Sequence, residues 1–148
     1  MIEDALPDAE RLCRRFEGLR VRPYLCPAGV PSIGYGATRY ENGHAVTLVD
    51  PEITPERALL LLRWQLRTQF LPGVLKCCPE LDTPGRLAAV GDFAFNLGLG
   101  ALYASTLRKR IRADRWEDVP DQLRRWVNGG GRRLPGLIAR REAEIALL

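Results

Sequence analysis

Three side chains with chemistry of their own lie close together near the start of this 148-residue chain: Glu17, then Cys26 after eight intervening residues, then Ser32 after five more. A carboxyl group that is held protonated can act as a general acid, and a thiol beside a hydroxyl can orient a polar reactant. Each residue also has a bland explanation. A glutamate at a helix end is ordinarily just solvated, and a cysteine in a strand is ordinarily a small buried hydrophobe.

The elements around these residues decide how they are presented. Ala9, Leu12, Cys13 and Phe16 recur at i, i+3, i+4 and i+7, the spacing of a buried helix face. Gly18 is expected to supply a left-handed cap, so that the helix stops directly after Glu17. A carboxyl there meets the negative end of the helix dipole, which favours the protonated form that a general acid needs. Beyond Gly18 the helical period is lost. Val21, Pro23, Tyr24 and Leu25 suggest an extended segment, and Pro27, Gly29 and Pro31 punctuate a loop. Ser32 to Tyr35 forms a short strand, and Arg39 to Glu41 pairs with Ala45 to Leu48 across Asn42-Gly43. The expectation is a small three-stranded antiparallel sheet between residues 20 and 48. Gly34 and Gly36 allow close approach of a ligand, although turn geometry explains them equally well.

From Thr54 onward the pattern is helical. Thr54 with Pro55 opens one helix, which Pro72-Gly73 is expected to end. Thr83 with Pro84 opens another, unusually apolar helix carrying Leu87, Val90, Phe93, Ala94 and Leu97, and Asn96-Leu97-Gly98 ends it. Ser105 caps a short basic helix to about Ala113, and Pro120 stands at the start of the next. Gly129 to Gly131 reads as a flexible loop, and a last helix runs from Pro135 toward Leu147. The fold class is therefore α+β and mainly α: a small sheet lobe, then a larger helical lobe around a central helix, with the interlobe cleft as the ligand site.

Composition narrows the function. With 46% hydrophobic and 27% charged residues the chain is an ordinary globular protein, and no apolar run approaches the roughly twenty residues of a membrane span. MIEDALPDAERLCRR lacks the basic-then-apolar order of a signal peptide. Cys13, Cys26, Cys77 and Cys78 make no CxxC pair and His44 is the single histidine, which argues against structural zinc and for free thiols. Residues 101–148 carry eleven Arg or Lys against six Asp or Glu, whereas residues 1–100 carry eleven against twelve. The positive excess, including Arg108, Lys109, Arg110 and Arg112, would attract an anionic polymer. Interleaved acids and the lack of a groove-reading motif speak against nucleic acid.

Glu17, Cys26 and Ser32, with Ile-Gly-Tyr-Gly following, resemble the active-site signature of the phage-type lysozymes, whose usual pattern is Glu, Asp and Thr at these two spacings. DFAFNLG at 92–98, STL at 105–107, RRW at 124–126 and LPGL with RRE across 134–142 resemble further segments of that family in the same order. Three departures stand out: Cys26 at the Asp position, a variant that some members share, Ser32 at the Thr position, and Ala37 where many relatives carry histidine.

The resemblance implies one lysozyme-like catalytic domain over residues 1–148, with the sheet lobe at about 18–53 and the helical lobe at about 54–148 plus the N-terminal helix. It implies an endolysin that hydrolyses the β-1,4 bond between N-acetylmuramic acid and N-acetylglucosamine in bacterial peptidoglycan, with no metal or cofactor. Glu17 would be the acid, while Cys26 with Ser32 would orient the attacking water. Gly36, Thr38, Phe95 and Asn96 would contact the sugar chain. Arg140 and Arg141 would be further substrate-binding residues, lying near Glu17, where their charge opposes the helix-end effect. The expected protein is a monomer that waits in the host cytoplasm until a holin opens the route to the wall. A lytic transglycosylase and a non-catalytic wall-binding module are the rival readings.

Overall fold

The computed structural model describes residues 1–148. Helix α1 (Ile2–Phe16) buries Ala5, Leu6, Ala9, Leu12 and Cys13 along one face, as its spacing predicts. It ends where expected, for a different reason. Glu17 itself leaves the helix at φ −93° and ψ 134°, and its N–H closes the last turn on the Cys13 carbonyl at 2.8 Å. Gly18 does not adopt a left-handed conformation.

The sheet is smaller than the sequence suggests. Strands β1 (Arg20–Leu25) and β2 (Pro31–Gly34) pair antiparallel, with Tyr24 opposite Ser32. The expected third strand is reduced to single bridges at Ile33–Ala37 and Arg39–Ala45. Asp50 accounts for this. Its carboxylate takes hydrogen bonds from the Thr47 backbone N–H and hydroxyl and from the Tyr40 hydroxyl, which curls residues 47–50 away from the ladder. Ile33, Ala37, Val46 and Leu61 form a small core of their own, which fastens this region to the following helix.

That helix, α2 (Pro55–Gln65), opens on the predicted Thr54 cap. Pro72-Gly73 does not end it. A wider π-helical turn over Leu66–Phe70 intervenes, and α3 (Leu71–Cys77) restarts with Pro72 in its first turn, where a missing N–H breaks nothing.

Helix α4 (Pro84–Leu97) is the centre of the larger core, touching α1, α3 and α8. Every residue from Leu87 to Ala94 is buried, so it is apolar on all sides except at Asp92. Gly91 lets α3 approach closely, since a Cβ there would stand 2.5 Å from the Leu71 Cδ2 atom. Around it run α5 (Leu99–Ala104), α6 (Thr106–Arg112, capped by Ser105), α7 (Val119–Arg124) and α8 (Pro135–Ile145). Residues 128–133 are not a plain loop. Short strands β3 (Asn128–Gly129) and β4 (Arg132–Arg133) make a hairpin whose turn glycines, Gly130 and Gly131, both have positive φ.

Thr83 accepts a hydrogen bond from the Arg86 N–H at 3.1 Å at the head of the central helix. Thr83→Ala is expected to cost about 1 kcal/mol and to lower the melting temperature by roughly 2–4 °C. An unchanged melting temperature in a calorimetric scan would contradict the assignment of this cap.

Candidate active site

Glu17 closes α1 with its side chain 28% exposed, and what holds it comes from the far end of the chain. Arg140 on α8 donates from Nη1 to Glu17 Oε1 at 2.7 Å. The same guanidinium donates from Nε and Nη2 to the two oxygens of Asp92 on α4, both at 2.8 Å. Arg140 is 3% exposed and Asp92 fully buried, so this fork-on-fork pair lies in the interior and presents only its third arm to the carboxyl. Burial works against the Arg140 charge, and the bonds to Asp92 with the nearby Glu17 more than offset it, raising the guanidinium above its usual range. Cys13 completes the knot, its thiol donating to Asp92 Oδ1 at 3.3 Å. Burial, then the Asp92 charge, pushes that thiol well up, so Cys13 acts as a neutral donor. Glu17 Oε2 has no partner within the chain.

Glu17 and Arg140 border a groove of about 430 Å³ that Phe16, Asn96, Leu134 and Leu137 also line. Asn96 Oδ1 accepts from Arg141 Nη2 at 2.9 Å, which turns the amide N–H₂ end free for a ligand. Arg141 itself is fully buried and reaches no ligand, contrary to its expected role as a substrate contact. Arg140 likewise acts on the groove through Glu17. Phe95 stacks on Phe70, with ring centroids 4.9 Å apart, and does not line the groove beside Glu17. Gly36 and Thr38 are exposed, Gly36 in the turn that the Ile33–Ala37 bridge closes, with φ 93°, and Thr38 just past that bridge.

Cys26 sits at the head of the β1–β2 turn rather than in a strand. Its N–H bonds the Val30 carbonyl at 3.0 Å, and its carbonyl accepts from Gly29 at 2.8 Å. The Val30 backbone foremost holds the Cys26 thiol below its ordinary range; burial, the next largest effect, opposes it, and Ala28 and the Ser32 hydroxyl act with Val30. Ser32 is buried and its hydroxyl donates to Val30 O at 3.0 Å. It carries one proton, which that carbonyl takes in this structure. Tyr24, opposite Ser32, links the two halves: burial first, then the Glu17 and Cys26 charges, raise its phenol, with the Arg20 guanidinium acting oppositely.

Asp92 and Tyr24 were not among the residues expected to matter. Tyr24 carries no local signal. Asp92 does, because a lone carboxylate inside the apolar run Leu87–Ala94 has to find a cation in the core. The basic surface of α6 is weaker than its composition suggests. Arg110 pairs with Asp118 at 3.6 Å and Arg112 with Glu80 at 3.2 Å, while Arg108, which donates to Cys77 O, and Lys109 are the two of the four without a carboxylate partner.

The family model described as "Phage lysozyme" matches residues 14–144, nearly the whole chain. The chain belongs to the phage lysozyme family. It is 36% identical over 138 residues to the endolysin of Bacillus phage B103, covering 92% of this chain and 50% of that protein, so it spans half the length of that relative. It is 35% identical over 142 residues to the endolysin of Acyrthosiphon pisum secondary endosymbiont phage 1, covering 92% and 91% of the two chains. The solved muramidase domain of SpmX from Asticaccaulis excentricus matches 94% of this chain and 92% of its own with a TM-score of 0.78 and 27% identity. The α+β, mainly helical lysozyme-like architecture read from the sequence is therefore the fold of this chain.

Cys13 and Cys78 are buried, and burial pushes the Cys78 thiol up to about 12. Iodoacetamide is expected to label Cys26 first in the native protein and Cys13 and Cys78 only on unfolding. Peptide mass mapping after brief exposure checks this, and early labelling of Cys13 would contradict the geometry.

Proposed function

We propose that this member of the phage lysozyme family is an endolysin whose residues 1–148 act as one catalytic unit. It is a lysozyme-type glycoside hydrolase, and its substrate is the β-1,4 linkage between N-acetylmuramic acid and N-acetylglucosamine in peptidoglycan. The observation that carries this reading is a carboxyl at the mouth of a groove, fixed through one oxygen by a buried arginine and open at the other.

Glu17 enters as the carboxylic acid. Arg140 engages Oε1, so the proton resides on Oε2 and passes to the glycosidic oxygen as the bond to the anomeric carbon breaks. Water then adds to that carbon. Cys26, favoured toward the thiolate by its turn, orients this water together with the Ser32 hydroxyl and takes its proton as the new C–O bond forms; that proton passes to solvent and Glu17 is reprotonated for the next turnover. Direct attack by water inverts the anomeric centre, and a thioether-linked glycosyl intermediate is not required. Asn96 offers amide donors to the sugar. The exposed backbone at Gly36 and Thr38 is the other contact expected from the resemblance. The reaction needs no cofactor. No helix is long and apolar enough to cross a membrane, and we place the protein as a monomer in the host cytoplasm until a holin releases it to the wall.

Glu17→Gln keeps an acceptor for Arg140 and removes the proton donor. It is expected to lower lysis of outer-membrane-permeabilised cells by about 10²- to 10⁴-fold, with the melting temperature nearly unchanged. Retention of more than about a tenth of the activity would sink the assignment. Cys26→Ala should remove most turnover on purified sacculi, whereas Cys26→Asp should keep or restore it. A fully active Cys26→Ala variant would show that the thiol only fills space.

A further inference from the structure

Arg141 and Glu144 stand three residues apart on α8, both fully buried, and Arg141 Nη2 donates to Glu144 Oε1 at 2.7 Å. Each charge answers the other, which is what lets both sit in the core. As a stabilising device the pair is poorly made. Only one guanidinium nitrogen takes part, and Arg141 Nε, Arg141 Nη1 and Glu144 Oε2 have no partner. The neighbouring pair of Arg140 and Asp92 shows the stronger arrangement, two parallel bonds from two nitrogens. The difference lies in the second proton of Arg141 Nη2. It reaches Asn96 Oδ1 at 2.9 Å, in the last turn of α4.

That bond decides which end of the Asn96 side chain faces the groove. A guanidinium has donors and no acceptor, so it can hold only the carboxamide oxygen. The Nδ2 end keeps both protons, donates to nothing within the chain, and belongs to a residue that lines the groove beside Glu17. Glu144 keeps Arg141 in place, because a guanidinium that swung away would leave a carboxylate alone in the core.

We propose that the Arg141–Glu144 pair is a positioning device that locks the Asn96 N–H₂ toward the groove, where it receives the carbonyl oxygen of an acetamido group on the glycan. This rests on the groove being a peptidoglycan site. A sugar hydroxyl both donates and accepts, so it can meet either end of a carboxamide that is free to flip. A fixed donor end is of use for an atom that accepts and cannot donate. The acetamido carbonyl of an N-acetylated sugar is such an atom. Arg141 touches no ligand in this arrangement and acts through Asn96.

Steady-state kinetics on a soluble peptidoglycan fragment, native and chemically de-N-acetylated, test the lock. Arg141→Met/Glu144→Leu removes both charges together, so neither is stranded. It is expected to raise KM on the native fragment by roughly three- to tenfold, the scale of one neutral hydrogen bond, with kcat retained. Asn96→Ala should raise KM by a similar factor in the wild type and little further in Arg141→Met/Glu144→Leu, since the same bond is already lost. Asn96→Asp still accepts from Arg141 but offers the groove only acceptors, and should lose as much as Asn96→Ala. On the de-N-acetylated fragment, wild type and Asn96→Ala should share one raised KM. Losses that multiply between the pair and Asn96, as a merely structural pair would give, overturn the proposal. So does wild-type KM in Asn96→Asp, or an undiminished effect of Asn96→Ala on the de-N-acetylated fragment. These last two comparisons decide the matter even where Arg141→Met/Glu144→Leu fails to fold. The effect is read in KM whichever residue proves to be the acid, whereas a wild type that leaves the native fragment uncut fails the functional reading itself.

Discussion

A guanidinium that is 3% exposed needs its charge answered inside the protein, and Asp92 answers that of Arg140 with two parallel hydrogen bonds. Removing one partner of such a pair typically costs about 3–5 kcal/mol, because the other is left charged in the core. Asp92 is on α4 and Arg140 on α8, and the third arm of the guanidinium ends on Glu17 at the close of α1. The pair therefore ties together the three helices whose meeting point is the site. It also explains why α4, apolar everywhere else, tolerates a carboxylate at its centre. The proposed acid is placed by the core rather than by a flexible surface contact.

The sheet-lobe half of the site follows from turn geometry instead. Gly29, at φ 76°, lets the chain reverse between Cys26 and Val30, closed by the Cys26 N–H on the Val30 carbonyl and the Gly29 N–H on the Cys26 carbonyl, and in that turn the Cys26 thiol is held below its ordinary range, chiefly by the Val30 backbone. Backbone amides can favour a thiolate without any neighbouring cation, and this is the ground on which Cys26 is proposed to act on the attacking water. Ser32 supports the turn from the adjacent strand, its single proton taken by the Val30 carbonyl.

Much of this was legible in the sequence where the cause is local. Thr54-Pro55, Thr83-Pro84 and Ser105 mark helix starts because a cap is made by neighbours three residues away. The spacing of Glu17, Cys26 and Ser32 is local in the same sense. What the sequence hid depends on distant partners. The third strand is lost to Asp50, and Pro72 is absorbed by a π-helical turn. Arg141 is buried by helices on every side, although its position beside Arg140 suggested a ligand contact. The bond from Arg140 to Glu17 joins residues 123 positions apart, and no pattern along the chain announces it. Asp92 was the one readable clue to it, as a charge in an apolar helix.

The dependence of Glu17 on the buried pair is tested most directly by steady-state kinetics of Asp92→Asn on a soluble peptidoglycan fragment, at a temperature where circular dichroism shows the variant folded. Asparagine keeps a carbonyl acceptor but not the charge or the symmetric fork that holds Arg140. The account predicts a fall in kcat of roughly ten- to a hundredfold with KM retained, the cost of an acid that is present but misplaced. A folded Asp92→Asn enzyme with wild-type kcat would contradict it.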